Sequence, residues 1–238
     1  MAHRGWSSIA PENTLASYRL AIESGAELAE CDVMLSSDGV PVLMHDDTVD
    51  RTTNGTGLVS SYTAAALAQL DAGAWKGEEW RGEGIPTLEA ALRLVAGKLR
   101  FVIEIKEAAA APQVLQAIRN AHAEPDELMI FSFALDAVAT IARAEPMLPT
   151  TWLIDEVPLD PEGRRRVLRK ALSARVSAVG VSYRKAYPAL IRAAHERGLL
   201  VFTWTVNDPK DMRRMIEMGV DAIISDYPDV ALKLVGGP

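Results

Sequence analysis

Short apolar segments alternate with helical patterns along most of this chain, and this alternation limits the possible folds more than any other feature. Segments such as "FVIEIK" (101–106) and "LLVFTWTV" (199–206) are nearly continuous apolar runs, as expected for parallel strands buried on both faces. A helical pattern follows each strand, for example "DPKDMRRMIEMG" (208–219). Eight strand–helix units are counted when "AH" (2–3) serves as a minimal first strand. Eight units in 238 residues predict an α/β fold of the (β/α)8, or TIM-barrel, type.

The regular pattern is interrupted between residues 33 and 85. This segment is too long for a strand–helix loop, so we expect a hairpin and loops that lie over the catalytic face. A doubly wound open sheet is the alternative fold, but no glycine-rich phosphate loop follows the first strand. We therefore predict a single TIM-barrel domain over residues 1–238, with a small insertion after strand 2 over residues 33–85.

Composition narrows the possible partners and the compartment. The net charge is -7 without a basic block, which argues against a nucleic-acid partner and against stable membrane association. No apolar run approaches the roughly 20 residues of a membrane span. The single cysteine, Cys31, cannot form an internal disulfide, which fits a reducing compartment. We predict a cytoplasmic protein, either a monomer or a homodimer, that acts on a small molecule.

Polar side chains are expected at the C-terminal ends of the strands, where TIM-barrel active sites lie. Glu104 and Lys106 share one face of an apolar strand, so both should point into the barrel lumen. A buried charge there must be paired or bound to a metal. Asp155, Ser182 and Asp226 are expected simply to begin solvated loops. The full set at these strand ends is His3, Arg4, Glu30, Asp32, Glu104, Lys106, Ser132, Asp155, Ser182, Trp204, Asn207 and Asp226.

The segment "ECDVMLSSDGVPVLMHDD" (30–47) predicts a hairpin. If Asp38-Gly39 is a two-residue turn, Asp32 lies opposite His45 on the paired strand. Directly opposed residues share a face, so this register places Glu30, Asp32 and His45 on one surface.

Three converging carboxylates must either have raised pKa values or bind a cation. Oxygen ligands favour Mg²⁺ or Ca²⁺ over zinc, although His3 and His45 would also suit a softer metal. We interpret the two histidines as proton-transfer groups near neutral pH. Arg4 and Lys106 then bind an anion, and together with a cation these residues predict a phosphate site.

Several motifs follow one another in order over essentially the whole chain: "HRG" (3–5), "APENT" (10–14), "ECDVMLSSDGVPVLMHDDTVDRTTNGTG" (30–57), "IPTLEAAL" (85–92), "FVIEIK" (101–106), "FSF" (131–133), "WTVN" (204–207) and "GVDAIISDYP" (219–228). In this combination the sequence resembles the glycerophosphodiester phosphodiesterases, particularly their short cytosolic bacterial members.

The resemblance implies a TIM barrel that hydrolyses glycerophosphodiesters to sn-glycerol 3-phosphate and an alcohol with one divalent cation, Mg²⁺ or Ca²⁺. Only Met1 and Ala2 precede His3, where family members usually carry several apolar residues. Strand one is therefore very short, unless native residues precede Met1. Carried over by motif, the metal ligands are Glu30, Asp32 and Glu104, the catalytic histidines His3 and His45, the phosphate-binding residues Arg4 and Lys106, the glycerol-pocket residue Trp204, and an outer-shell partner or further ligand Glu12.

Two other functions stay open from the sequence. A related barrel phosphodiesterase acting on lysophospholipids or phosphoinositides needs an apolar rim, which Trp75 and Trp80 would supply. A non-catalytic phosphate-binding barrel should have lost a histidine or a metal ligand, and this chain keeps them all. The head-group preference, the acid and base assignment of His3 and His45, and the nucleophile (water or the glycerol 2-hydroxyl) are not fixed by sequence.

Overall fold

The computed structural model, which describes residues 1–236, is a closed parallel barrel. Ala2 forms parallel bridges to Ala29 on one side and to Ser225 on the other, and it thereby joins the two ends of the sheet. The α/β TIM-barrel prediction is confirmed, including a first strand reduced to a single bridging residue. The strands are β1 (Leu28–Leu35), β2 (Pro41–Leu43), β3 (Arg100–Ile105), β4 (Leu128–Ser132), β5 (Thr150–Ile154), β6 (Ala178–Ser182), β7 (Leu200–Trp204) and β8 (Ala222–Ile223), in the sheet order β2-β1-β3-β4-β5-β6-β7-β8.

A helix follows each barrel strand and packs on the outside of the barrel. Thr14 and Thr87 cap two of these helices, because their side chains accept hydrogen bonds from the first-turn amides. No helix within residues 1–236 is long and apolar enough to cross a membrane. The helices are α1 (Leu15–Glu23), α2 (Ala64–Leu67), α3 (Leu88–Val95), α4 (Ala111–Ala121), α5 (Leu135–Ala144), α6 (Pro161–Ser173), α7 (Pro188–His195), α8 (Pro209–Met218) and α9 (Pro228–Leu234).

The lumen of the barrel is closed below the mouth by apolar side chains. Phe131 and Phe202 stack with ring centroids 5.7 Å apart, and they pack with Val102, Leu153 and Ile224. Alternate residues of the same strands point outward and pack against the helices. Polar side chains therefore reach the lumen above this apolar floor, at the C-terminal mouth.

The hairpin formed by β1 and β2 has a register one residue away from the predicted one. Val33 pairs with Leu43, so Asp32 lies opposite Met44 and the predicted pairing of Asp32 with His45 is wrong. The loop has three residues rather than two, because Ser36 pairs with Val40 through backbone and side-chain hydrogen bonds. His45 follows the strand in a bend instead of belonging to it.

The hairpin and the segment that follows it share a small apolar cluster. Its buried members are Met34, Val42, Met44, Val49, Val59, Leu67, Ala72 and Ile85. The chain returns to the barrel where Val42 bridges Thr87, just before α3. The description of residues 1–238 as one domain with an insertion over 33–85 stays a prediction, and its last two residues lie outside the described part of the chain.

We expect Gly5→Ala to destabilise the loop that carries His3 and Arg4. Gly5 has a φ of +80°, and an added Cβ would lie 2.7 Å from the backbone carbon of Ser17. Left-handed strain of roughly 1–2 kcal/mol and overpacking of roughly 1–3 kcal/mol should both lower the free energy of unfolding. The measurement is urea unfolding of both proteins. Gly39→Ala is the matched control, because Gly39 has a φ of +75° and open space around it. Equal losses for the two variants would contradict the packing argument.

Candidate active site

A cleft of about 190 Å³ opens at the C-terminal mouth of the barrel. The structure brings nearly all of the predicted site residues to this cleft. Asp32 lies buried beside it, and Glu12 lies next to Arg4. The residues that line the cleft are His3, Arg4, Glu30, His45, Glu104, Lys106, Phe131, Phe133, Leu153, Trp204, Thr205 and Ile224.

Three buried carboxylates form the base of the polar half of the cleft. Asp32 and Glu104 are direct neighbours on β1 and β3, and Glu30 lies two residues before Asp32 on the same face. One oxygen from each of the three side chains lies within 4.8 Å of the others. This cluster could hold a metal ion.

Positive side chains compensate the charge of Asp32. Lys106 Nζ lies 2.6 Å from Asp32 Oδ1 and 2.6 Å from Glu104 Oε1. Arg4 Nε lies 3.0 Å from Asp32 Oδ2, and the Asn13 amide donates to the same oxygen at 2.8 Å. Burial acts to raise the pKa of Asp32, but Lys106 and Arg4 together outweigh it and hold that pKa well below its usual range. The two basic side chains within 3.0 Å therefore favour the ionised form of Asp32.

Glu30 lacks such compensation. Its Oε2 accepts a hydrogen bond from the backbone amide of Arg4 at 3.0 Å, whereas its Oε1 is buried without a partner within residues 1–236. Burial, followed by the charge of Asp32, raises the pKa of Glu30 to about 8, and the same two causes raise the pKa of Glu104. An unpartnered buried carboxylate oxygen beside two further carboxylates fits a hard cation, so the residues present match the predicted ligand set.

A carboxylate holds the imidazole of His3. His3 Nδ1 lies 2.6 Å from Asp226 Oδ1, and Asp226 also accepts hydrogen bonds from Ser7 and Asn207. Burial acts to raise the pKa of Asp226, but His3 and Asn207 outweigh it and the pKa falls to about 2. Asp226 was expected only to begin a solvated loop, and that expectation is wrong because its carboxylate positions a ring in the cleft.

A second carboxylate holds the imidazole of His45. His45 Nδ1 lies 2.6 Å from Asp46 Oδ1, and Arg51 Nε donates to the other Asp46 oxygen at 2.6 Å. The guanidinium of Arg51 also donates to both oxygens of Glu12, which in turn accepts from Arg4 at 2.7 Å. His45 and Arg4 are thus joined through Asp46, Arg51 and Glu12. In each histidine the Nδ1 is occupied, which leaves Nε2 for a ligand.

Residues 3–230 match the sequence model of the glycerophosphoryl diester phosphodiesterase family. The chain belongs to this family. A glycerophosphodiester phosphodiesterase of Caldanaerobacter subterraneus subsp. tengcongensis is 36% identical over 241 residues, which cover 99% of this chain and 96% of that protein. A phosphodiesterase of Oleispira antarctica, solved in complex with the product sn-glycerol-3-phosphate, matches with a TM-score of 0.91 and 31% identity over 99% of this chain and 96% of that chain. A glycerophosphodiester phosphodiesterase of Agrobacterium tumefaciens str. C58 matches with a TM-score of 0.83 and 29% identity over 98% and 97% of the two chains.

Membership of the glycerophosphoryl diester phosphodiesterase family confirms the resemblance that the motifs indicated. It also confirms the prediction of an enzyme, and it leaves the non-catalytic barrel without support. The roles of the individual residues stay predictions.

The sequence analysis assigned no role in the site to four residues whose side chains hold the site residues in place: Asn13, Asp46, Arg51 and Asp226. Asn13 lies in "APENT", and Asp46 and Arg51 lie in "HDDTVDR", so the motifs contained the signal. Their partners depend on loop shape, because Asn13 and Arg4 both adopt left-handed backbone conformations. Spacing along the sequence does not reveal such contacts.

We expect Arg51→Met to lower kcat of the phosphodiesterase reaction. The change leaves Asp46 and Glu12 without their shared cation, so His45 and Arg4 lose their alignment. Outer-shell partners of this kind typically contribute roughly 10- to 100-fold. The control is Arg81→Met, because Arg81 pairs with the exposed Glu78 away from the cleft. Steady-state kinetics on both folded variants measures the difference, and an unchanged kcat for Arg51→Met would contradict the positioning role.

Proposed function

We propose that this protein hydrolyses glycerophosphodiesters to sn-glycerol 3-phosphate and an alcohol, with one divalent cation bound by Glu30, Asp32 and Glu104. One observation carries the proposal: three buried carboxylates, two basic side chains and two carboxylate-held histidines lie at or directly beside one small cleft. The bound product of the Oleispira antarctica phosphodiesterase, sn-glycerol-3-phosphate, supports the same reaction for this chain.

The donor set favours Mg²⁺ or Ca²⁺, because its three side chains offer oxygen atoms. When bound, the cation would offset the charge of the carboxylates and supply Lewis-acid polarisation to a phosphate oxygen. The unpartnered Oε1 of Glu30 is the feature of this chain that most directly fits such an ion.

Arg4 and Lys106 bind the non-bridging phosphate oxygens. Lys106 uses two of its three ammonium donors on Asp32 and Glu104, which fixes its position at the cleft and leaves a donor for substrate. Arg4 is fixed between Asp32 and Glu12. Because the Arg4 and Lys106 side chains are held in place before substrate arrives, little reorganisation is needed when charge develops on the phosphate.

His3 and His45 move the protons. One Nε2 donates a proton to the leaving alcohol, and the other accepts one from the nucleophile, which is either water or the 2-hydroxyl of the glycerol arm. Attack by the 2-hydroxyl gives a cyclic phosphate that water then opens. Asp226 and Asp46 hold the two rings through their Nδ1 atoms, so that each Nε2 faces the substrate.

The glycerol arm packs against the apolar wall of the cleft. Phe133 and Trp204 meet edge to face with centroids 5.5 Å apart. Trp204 Nε1 is buried without a partner within residues 1–236, so it can donate to a glycerol hydroxyl.

A second candidate is hydrolysis of lysophospholipids by the same site. Its support is the exposure of three aromatic side chains at or near the mouth of the barrel, Trp75 (42%), Phe133 (39%) and Tyr227 (44%). Trp80, the other tryptophan considered for an apolar rim, is only half-exposed. A comparison of kcat/KM for glycerophosphocholine and lysophosphatidylcholine separates the two, and we expect the former to be the better substrate.

From composition alone we also infer a cytoplasmic monomer or homodimer without a nucleic-acid partner and without stable membrane association. The net charge of -7 supports the inferences about partners, and the single cysteine supports the inference about the compartment, whereas the oligomeric state stays a prediction.

We expect His45→Ala to lower kcat by at least about 100-fold, the lower limit for loss of a general acid or base. Substrate should still bind, because Arg4 and Lys106 remain. The control is His195→Ala, since His195 pairs with Asp221 at 2.8 Å in a similar way but lies at the end of α7. Turnover near that of the wild type in His45→Ala would remove His45 from the mechanism.

We expect EDTA to abolish hydrolysis of glycerophosphodiesters and added Mg²⁺ or Ca²⁺ to restore it. The readout is release of glycerol 3-phosphate. In Glu30→Gln, restoration should require much more cation, whereas Glu89→Gln on α3 should behave like the wild type. Full activity after exhaustive chelation would refute the metal requirement, and no release of glycerol 3-phosphate under any condition would refute the reaction.

A further inference from the structure

A second cleft of about 280 Å³ lies beside the first at the mouth of the barrel. The linings of the two clefts share His3 and Arg4. The second cleft is also lined by Ser7, Ser8, Trp75, Lys76 and Tyr227. Trp75 and Lys76 come from the segment over residues 33–85, so this cleft is formed between that segment and the barrel.

A phosphodiester has two arms that meet at one phosphorus atom, and two clefts that share two residues match that shape. This step rests on the proposed function. If the phosphate lies at His3 and Arg4 and the glycerol arm lies against Trp204, the other arm extends into the second cleft. That arm is the alcohol which leaves.

Lys76 gives the second cleft its chemical character. Its Nζ donates to the backbone carbonyl of Ser7 at 2.6 Å, and within residues 1–236 no carboxylate lies within ion-pair distance of it. An ammonium has three donors, so two are left for a ligand. Ser8 adds a buried hydroxyl that has no partner within the same residues.

The carboxylates of this cleft are already occupied. Both oxygens of Glu12 accept hydrogen bonds from Arg4 or Arg51, and both oxygens of Asp226 accept from His3, Ser7 or Asn207. The ring of Trp75 lies 5.8 Å from the ammonium of Lys76. A cationic ligand in this cleft would therefore meet the positive charges of Lys76 and Arg4, and it would find both carboxylates, Glu12 and Asp226, already hydrogen-bonded.

We propose that the second cleft is the subsite for the leaving alcohol and that Lys76 makes it prefer an uncharged polyhydroxy alcohol over one that carries a quaternary ammonium group. Hydroxyl groups accept from Lys76 and bond with Ser8. A trimethylammonium group makes no hydrogen bonds and is repelled by Lys76. Lys76 is in this view a specificity-determining residue for the proposed reaction.

The test compares kcat/KM for glycerophosphoglycerol and glycerophosphocholine, which share the glycerol arm and differ in the alcohol. The wild type should prefer glycerophosphoglycerol. Lys76→Met should lower the ratio of the two kcat/KM values about tenfold, as expected for loss of a hydrogen bond to a charged group. Lys76→Glu should lower it further, because its carboxylate attracts the ammonium. Lys98→Met is the control, since Lys98 also donates to a backbone carbonyl, that of Leu94, but lies far from the mouth on the loop after α3.

The ratio distinguishes a change in substrate preference from a general loss of activity. If loss of the Lys76 hydrogen bond displaced the loop at Ser7, hydrolysis of both substrates would slow together. Inhibition by sn-glycerol 3-phosphate should be unchanged in Lys76→Met, since the product occupies the first cleft. An unchanged ratio in both folded Lys76 variants, a wild-type preference for glycerophosphocholine, or weaker product inhibition in Lys76→Met would overturn the subsite and leave the proposed reaction standing. Failure of the wild type to hydrolyse either substrate would overturn both.

Discussion

Three carboxylates buried side by side need positive charge, and much of the mouth of this barrel is arranged around that need. Asp32 is satisfied by the chain itself, through Lys106, Arg4 and Asn13. Glu30 keeps an oxygen that has no partner among the described residues 1–236. The difference matters because Arg4 and Lys106 are also the side chains that we propose to bind the phosphate. By pairing Arg4 and Lys106 with Asp32, the fold fixes the positions of these two side chains. Glu30 and Glu104 are left with raised pKa values that a bound cation would lower.

The placement of His3 and Arg4 depends on a very short element. Ala2 bridges both neighbouring strands, the His3 amide donates to Ser225, and the Arg4 amide donates to Glu30. Ser17 at the start of α1 donates to the Arg4 carbonyl. Hydrogen bonds on every side therefore replace the rigidity that a longer first strand would provide. The left-handed conformations of Arg4 and Gly5 turn the chain directly from this bridge into the loop that leads to α1.

The sequence was sufficient for the strands and for the faces of their side chains, because period-two alternation places Glu30, Asp32, Glu104 and Lys106 in the lumen without knowledge of tertiary contacts. It failed where short-range polar contacts decide the geometry. The side chain of Ser36 selects a three-residue hairpin loop and shifts the register by one. The pairings of Asp226 with His3 and of Arg51 with Asp46 and Glu12 join residues from separate loops. Although the predicted register is wrong, His45 does lie at the mouth as predicted. It lines the cleft because the bend after β2 brings it there.

The barrel and the segment that follows β2 contribute different parts of the site. The strands supply the carboxylates and Lys106, whereas His45, Asp46 and Arg51 come from the segment whose own core is the small cluster around Met44 and Val49. Arg51 connects these parts, since it binds Asp46 on its own segment and Glu12 in the loop before α1. Barrel strands buried on both faces tolerate little variation, but surface loops tolerate much more. Substitution of Lys76, which lies on the same segment, can therefore change which alcohol is accepted without disturbing the carboxylates on the strands.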